Sequence, residues 1–393
     1  MNNDIQIHPL ILKIKNEIIE NRRYFHKYPE LSFQEFNTSK IIEQKLIAMG
    51  IKVQSGIAKT GLIADISGNK PGKMIALRAD MDALPIQETS NVSYKSLNDG
   101  VMHACGHDGH IAMLLGAANA INQMKDKLNG TVRLIFQPAE EGPAGAKYMI
   151  DEGVLNHVDE IYGIHLWNYQ KVGEIGVKSG PIMAAADMFE IEVIGKGGHG
   201  ATPHGTVDAV VVASHLINSF QTIVSRNTNP IESTVVTVGM INGGYNFNII
   251  ADKIVLKGTT RAYTKKNRRL IKERMQDIIL GTEKIFDAKI NLNYKDGYPP
   301  TINENNCTKN VFKAATKVVG DHKHLPYLSM GGEDFSYYLE KVPGCFYFIG
   351  SSPIDRDPLS TPHHCSHFDI DENALLIGSS SFIRIIEDIL INC

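Results

Sequence analysis

Lys73-Met74-Ile75-Ala76-Leu77-Arg78-Ala79-Asp80-Met81-Asp82 is the stretch on which the fold turns. Residues 73–79 form a short apolar run that reads as a strand, and two carboxylates follow at its carboxyl end. The same pattern recurs downstream. Residues 131–137 read as a second strand, leading to Glu140 and Glu141, and residues 160–166 as a third that ends around His165. Between the first two, residues 109–124 are rich in Ala and Leu and read as a buried helix. Strand alternating with helix predicts an α/β fold, a mostly parallel sheet covered by helices on both faces. Open sheets of this kind bind ligands at the carboxyl edge. Several separate segments therefore aim metal-capable side chains at one place.

Outward from this core, two helices open the chain. The first covers residues 9–26. The second begins at Ser32, where Ser32-Phe33-Gln34-Glu35 fits a capping box, and ends at Gly50. After Gly180-Pro181 the pattern changes. Residues 188–194 alternate like a strand, 206–224 look helical, 233–241 and 253–261 look like strands. Residues 265–286 form a charged amphipathic helix, and 289–294 alternate again. The order β-α-β-β-α-β is the ferredoxin-like split arrangement. It predicts a smaller α+β domain at residues 186–296, inserted into a larger one made of residues 1–185 and 297–393. A chain of 393 residues exceeds what one core usually holds.

Composition narrows the function. The apolar share is 43% and the charged share 21%, ordinary for a globular protein. A net charge of -3 gives no basic footprint for nucleic acid. No run reaches about 18 uninterrupted apolar residues, so no membrane span is expected. Lys13, Lys15, Glu17 and Glu20 interrupt the first apolar stretch, which argues against a secretory signal. The five cysteines are scattered and odd in number, against a disulfide framework and in favour of a reducing, cytoplasmic setting.

The densest chemistry lies in Met102-His103-Ala104-Cys105-Gly106-His107-Asp108-Gly109-His110. A Cys-x-His pair on a turn, Cys105 and His107, can offer thiolate and imidazole to a divalent ion or ion pair. Glu140 and Glu141 are adjacent between Pro138 and Pro143. Neighbouring side chains point in different directions, so one can bind metal while the other faces the attacking water. Metal-assisted hydrolysis needs that division between Lewis acid and general base. A lone His165 at the end of an apolar strand is more often structural than a ligand. The loop at residues 361–368 holds His363, His364, Cys365 and His367, which suggests ligation without saying which ring ligates. In the inserted domain, residues 195–204 form a Gly-rich loop carrying His199 and His204. Asn248 and Arg261 follow. Arg grips carboxylates in bidentate fashion, although a lone Arg is more often half of a surface salt bridge. The absence of Cys-x-x-Cys argues against a structural zinc module.

Six ordered segments carry a resemblance. They are residues 23–32, 77–85, 102–110, 137–142 and 197–204, and Met330-Gly331-Gly332-Glu333-Asp334-Phe335. Together they resemble the co-catalytic metallopeptidase family of aminoacylases, in the branch of hippurate hydrolases, auxin-conjugate (IAA-amino acid) hydrolases, N-acetyl-diaminopimelate deacetylases and bacterial thermostable carboxypeptidases. The resemblance implies two divalent metal ions per subunit, zinc, manganese, cobalt or nickel. It makes Cys105 the bridging ligand, with His107, Glu141, His165 and His364 completing the sites. His364 is indicated because it stands four residues before Phe368. Glu140 would be the general base, and Asp82 would orient the metal site, with Asp80 where relatives carry His. His199 would reach the partner subunit's active site, which makes the inserted domain the dimerisation and lid domain of a homodimer. Asn248 and Arg261 would hold the substrate carboxylate, and Gly331 and Gly332 would line its pocket. The chain departs from the family in Asn248-Ile249-Ile250-Ala251, which lacks the usual Pro, and in His364-Cys365-Ser366-His367, which lacks the Pro after His-Ser. The implied activity is hydrolysis of the amide bond of a small N-acyl amino acid. A dipeptidase or carboxypeptidase of the same family is the alternative. A non-catalytic binding relative would have lost the general base, and Glu140 is present.

Overall fold

The apolar run at 73–79 lies in the strand Lys70–Asp80, inside an eight-stranded sheet. The structure, a computed structural model, describes residues 5–392; residues 1–4 and 393, the last a cysteine counted above, lie outside that range. Across the sheet the strands run Lys52–Ile57, Gly61–Ser67, Asn129–Gln137, Lys70–Asp80, Glu160–Lys171, Gly344–Ser352, Ile175–Gly176 and Lys323–His324. The four central strands, from Asn129–Gln137 to Gly344–Ser352, are parallel, and an antiparallel hairpin extends one edge. Every residue of Gly344–Ser352 is buried, so both of its faces are covered, as parallel sheets require. The helices His107–Gln123, Asn305–Val319 and Asn373–Ile386 share one apolar core with these strands.

Register brings the carboxyl ends level. Asp80 pairs with Gln137, Arg78 with Gly163, and Phe348 with His165. The third strand does not end near His165. It runs on to Lys171, because Ile349 and Gly350 keep pairing with Leu166 and Trp167.

The opening helix is broken at Ile14 into Pro9–Lys13 and Lys15–Lys27. The second helix is Phe36–Ala48, and the capping box does not form. Ser32 Oγ instead donates to Asp82 at 2.7 Å, and Glu35 accepts from Thr60 Oγ1 at 2.6 Å. Both side chains are engaged far along the chain. The helix does end as expected. Gly50 sits at φ 76°, its N–H donates to Ile47, and Ile51 N–H donates to Leu46, a Schellman closure with Leu46 and Ile51 both buried.

A second compact unit comprises Met183–Thr301 and Leu328–Glu333. Its strands lie in the order Thr234–Gly243, Lys253–Ala262, Ala185–Ile194 and Lys289–Tyr298, all antiparallel. Helices Ala209–Thr222 and Lys265–Phe286 close a separate apolar core against them. This is the β-α-β-β-α-β order. The unit is larger than residues 186–296. It takes in Leu328–Glu333 because Ala184 N–H donates to Gly331 O at 2.9 Å and the Tyr263 hydroxyl to Ser329 O at 2.7 Å. Among the described residues no helix is long and apolar enough to cross a membrane, and Cys105, Cys307, Cys345 and Cys365 are all free.

Candidate metal centre

A buried arginine organises the carboxyl edge of the large sheet. Arg78 donates to Asp80 at 2.6 Å, Gln137 at 2.8 Å and Asp334 at 2.9 Å. Asp80 also contacts His110 Nδ1 at 2.5 Å, while His110 Nε2 accepts the Leu166 N–H at 2.9 Å. That second bond puts the proton on Nδ1 and leaves a neutral ring with both nitrogens engaged. Burial lowers its pKa, consistent with this state. His110 positions neighbouring groups and has no lone pair left for an ion.

The adjacent ring is arranged differently. His107 opens the helix His107–Gln123, just after Gly106 at φ 90°, where a side chain would be strained. Its Nδ1 is 2.9 Å from the Asp82 carbonyl, to which it donates, and its buried Nε2 has no hydrogen-bond partner. His165 Nδ1 donates to Leu166 O at 2.6 Å, which leaves Nε2 as a lone pair 3.5 Å from Cys105 Sγ. The donor atoms of Cys105, His107 and His165 lie within 4.8 Å of one another. So do those of Cys105, Glu141 and His364, and those of His107, Glu140 and Glu141. Cys105 is common to two of these trios.

The three loop histidines separate cleanly. His364 has left-handed backbone at φ 64°, donates its N–H to Ala104 O at 2.8 Å, and places Nε2 3.2 Å from Glu141 Oε1. His363 turns inward, where its Nε2 accepts the Asn168 N–H at 3.1 Å and its ring packs on Trp167 and Phe368. His367 is exposed and belongs to none of the donor clusters among the described residues. Asp82 is buried beneath the glutamates. Its two oxygens accept the N–H groups of Glu140 and Glu141, each at 3.0 Å. Burial opposes its charge, yet bonds from His107, Ser32 and Glu141 hold the carboxyl below its ordinary value.

The remaining expected residues lie in the second unit. A short ribbon pairs His199 with Ile249, and Gly200 N–H donates to Asn248 O at 2.8 Å, so His199 and Asn248 are neighbours. His199 is exposed, and its Nδ1 accepts the Ala201 N–H at 3.1 Å, which leaves the proton on Nε2. Arg261 lies half-buried on Lys253–Ala262 and donates to Thr260 O at 3.0 Å. No carboxylate pairs with it among the described residues, so the surface salt bridge is not there. A Cβ on Gly332 would come 2.8 Å from that of Ala186, so close packing on the strand Ala185–Ile194 requires glycine at that position. At Gly331 the space is less tight, with Ser329 Oγ at 3.2 Å.

Residues 76–388 match the model of peptidase family M20/M25/M40. The chain belongs to this family. It is 44% identical over 369 residues to an N-acetyl-L-cysteine deacetylase of Bacillus subtilis, covering 93% of this chain and 86% of that protein. It is 41% identical over 381 residues to thermostable carboxypeptidase 2 of Saccharolobus solfataricus, covering 94% and 96%. Among solved structures it resembles a dinuclear metal-binding M20 peptidase of Bacillus subtilis at TM-score 0.85 and 36% identity, covering 96% of this chain and 99% of that one. As an M20 enzyme the protein is a metal-dependent hydrolase acting on amide bonds.

The residues present fit the dinuclear centre of such an M20 enzyme. Burial pushes His107 down, but Asp80, Asp82 and Glu141 outweigh it and hold the ring near a pKa of about 10. Burial, then Glu141 and Glu140, push the Cys105 thiol well up. The site is therefore short of positive charge, with an unpartnered imidazole nitrogen facing it. Sulfur, nitrogen and oxygen donors in this mixture suit borderline divalent ions. The sequence does not disclose the supporting roles of three groups, Arg78, His110 and Glu35. A charged residue inside an apolar strand was the available signal for Arg78. Glu35 fits the local pattern of a cap, which conceals its longer-range role.

Proposed function

We propose that this M20 enzyme hydrolyses N-acyl amino acids, carrying N-acetyl, benzoyl or similar acyl groups, to a carboxylic acid and a free amino acid. One observation carries the reading: the buried Glu140 carboxylate lies with the donor atoms of His107 and Glu141, at most 4.8 Å apart. A base thus stands beside ligands for a cation pair. Cys105, His107, Glu141, His165 and His364 would hold two ions, zinc, manganese, cobalt or nickel. When bound, such a pair polarises the amide carbonyl and lowers the pKa of water. Glu140 takes the proton of the attacking water and later delivers it to the leaving nitrogen. Asp82, which holds both glutamate N–H groups, keeps base and ligand in register. Arg261, which forms no salt bridge among the described residues, and Asn248 would hold the substrate carboxylate. His199, bearing its proton on Nε2, would donate to the oxyanion.

Assays on chelated protein, with each divalent metal restored in turn, test this directly. Release of free amino acid from acetyl- and benzoyl-amino acids is expected to depend on metal and to exceed release from dipeptides. Faster release from dipeptides would favour the carboxypeptidase reading, for which the 41% identical relative speaks. No release from any substrate would sink both.

We also read the protein as a homodimer, with His199 serving the partner subunit. The strand Thr234–Gly243 is an edge strand that exposes Met240 and Ile241, and helix Ala209–Thr222 exposes Val210 and Val211. Apolar edges of this sort need covering. Light scattering is expected to give twice the chain mass; a fully active monomer would remove the in-trans role.

A further inference from the structure

The turn carrying Glu140 and Glu141 is held in an unusual way. Ala139 sits at φ 54°, in the left-handed region that residues with a Cβ avoid. Three consecutive N–H groups, those of residues 139, 140 and 141, are all bound by two buried carboxylates. Asp82 takes the second and third, and Glu35 takes the first at 2.9 Å. The other oxygen of Glu35 accepts from Thr60 Oγ1, itself buried. Glu35 contacts no donor atom of the metal clusters in these bonds. Its hydrogen bond toward the reaction is to the backbone of Ala139.

We infer that Glu35 is a positioning residue for hydrolysis, clamping the Ala139 turn so that Glu140 and Glu141 stand at their places. The inference rests on the reading of Glu140 as base and Glu141 as ligand. An acid is an awkward group to bury for support alone. Burial pushes the Glu35 carboxyl to about 7, Thr60 opposes this, and the charge of Asp82 adds to it. An apolar residue would fill the same space without that conflict, but it could not accept the Ala139 N–H.

The experiment compares Glu35→Met, Glu35→Gln and the pair Glu35→Met/Ala139→Gly. Each is read for kcat, KM and affinity for cobalt(II) by chelator competition. Glu35→Met is expected to lower kcat and weaken cobalt binding about tenfold, with KM within twofold. Glu35→Gln keeps an acceptor for Ala139 and should stay within threefold of the parent. Glycine at 139 removes the backbone strain, so the pair should recover to within threefold. A loss under threefold in Glu35→Met, equal damage in Glu35→Gln, or no recovery in the pair each overturns the inference. If Glu35→Met does not fold alone, the pair decides: a folded, active pair supports the clamp, and an unfolded one overturns it. If the parent hydrolyses no amide, the reading of the reaction has failed. The cobalt affinities then still decide for or against the clamp.

Discussion

Glu140→Gln is expected to leave fold and metal content unchanged while turnover falls about a thousandfold, within the range general acid–base catalysis contributes. The amide keeps the shape of the acid and can still accept the Asp334 N–H, which lies 3.3 Å from Glu140 Oε1. What it loses is the capacity to take and return a proton. KM should change little, because the acid acts on the water and the leaving nitrogen and not on the substrate carboxylate. The check is steady-state kinetics alongside metal analysis of the same sample. Turnover within tenfold of the parent would remove Glu140 as the base. Loss of metal together with turnover would instead make it a ligand, which its grouping with His107 and Glu141 allows geometrically.

Cys105→Ser should have the other large effect, and on a different observable. Cys105 is shared by the trio with His107 and His165 and by the trio with Glu141 and His364. Its replacement therefore touches both halves of the centre. Even outer partners of metal ligands cost ten- to a hundredfold when removed, so activity is expected to fall by more than about a hundredfold. Metal per subunit should fall with it at limiting metal. Cys365→Ser, which alters another free thiol, is the control and should retain its metal. An unchanged stoichiometry in Cys105→Ser would count against a bridging thiolate.

Much of this was legible in the chain, and the misreadings share a cause. Asp80, Glu140 and three of the four central strands could be read because burial on both faces leaves continuous apolar runs, and acids at their ends stand out; the fourth, Gly344–Ser352, was not. The order of the inserted elements was equally open, since alternation at period two differs plainly from helical spacing. Ser32 and Glu35 matched a local rule but serve partners at positions 82, 60 and 139. No local pattern reports such distant bonds. Only the resemblance, through the spacing from His364 to Phe368, picks one of the adjacent His363 and His364; the residues themselves do not separate them. A left-handed residue and one backbone bond to Ala104 turn them to opposite sides. His110 was visible as part of a cluster, but its exclusion as a ligand depends on the Leu166 N–H.

The position of the strand Gly344–Ser352 bears on how the molecule is made. Three of the four parallel strands emerge from the ribosome before the inserted unit, and the fourth follows only after it. Throughout that interval Glu160–Lys171 has a bare edge on the side where Gly344–Ser352 will pair. The inserted unit receives its four strands in one uninterrupted run, so it can close its own sheet while the larger one waits, as domains folding during synthesis tend to do. His364 arrives later still. The centre is thus completed only after the inserted unit has been made, and a nascent chain that stalls before residue 344 presents thiol, imidazoles and carboxylates beside an unpaired strand.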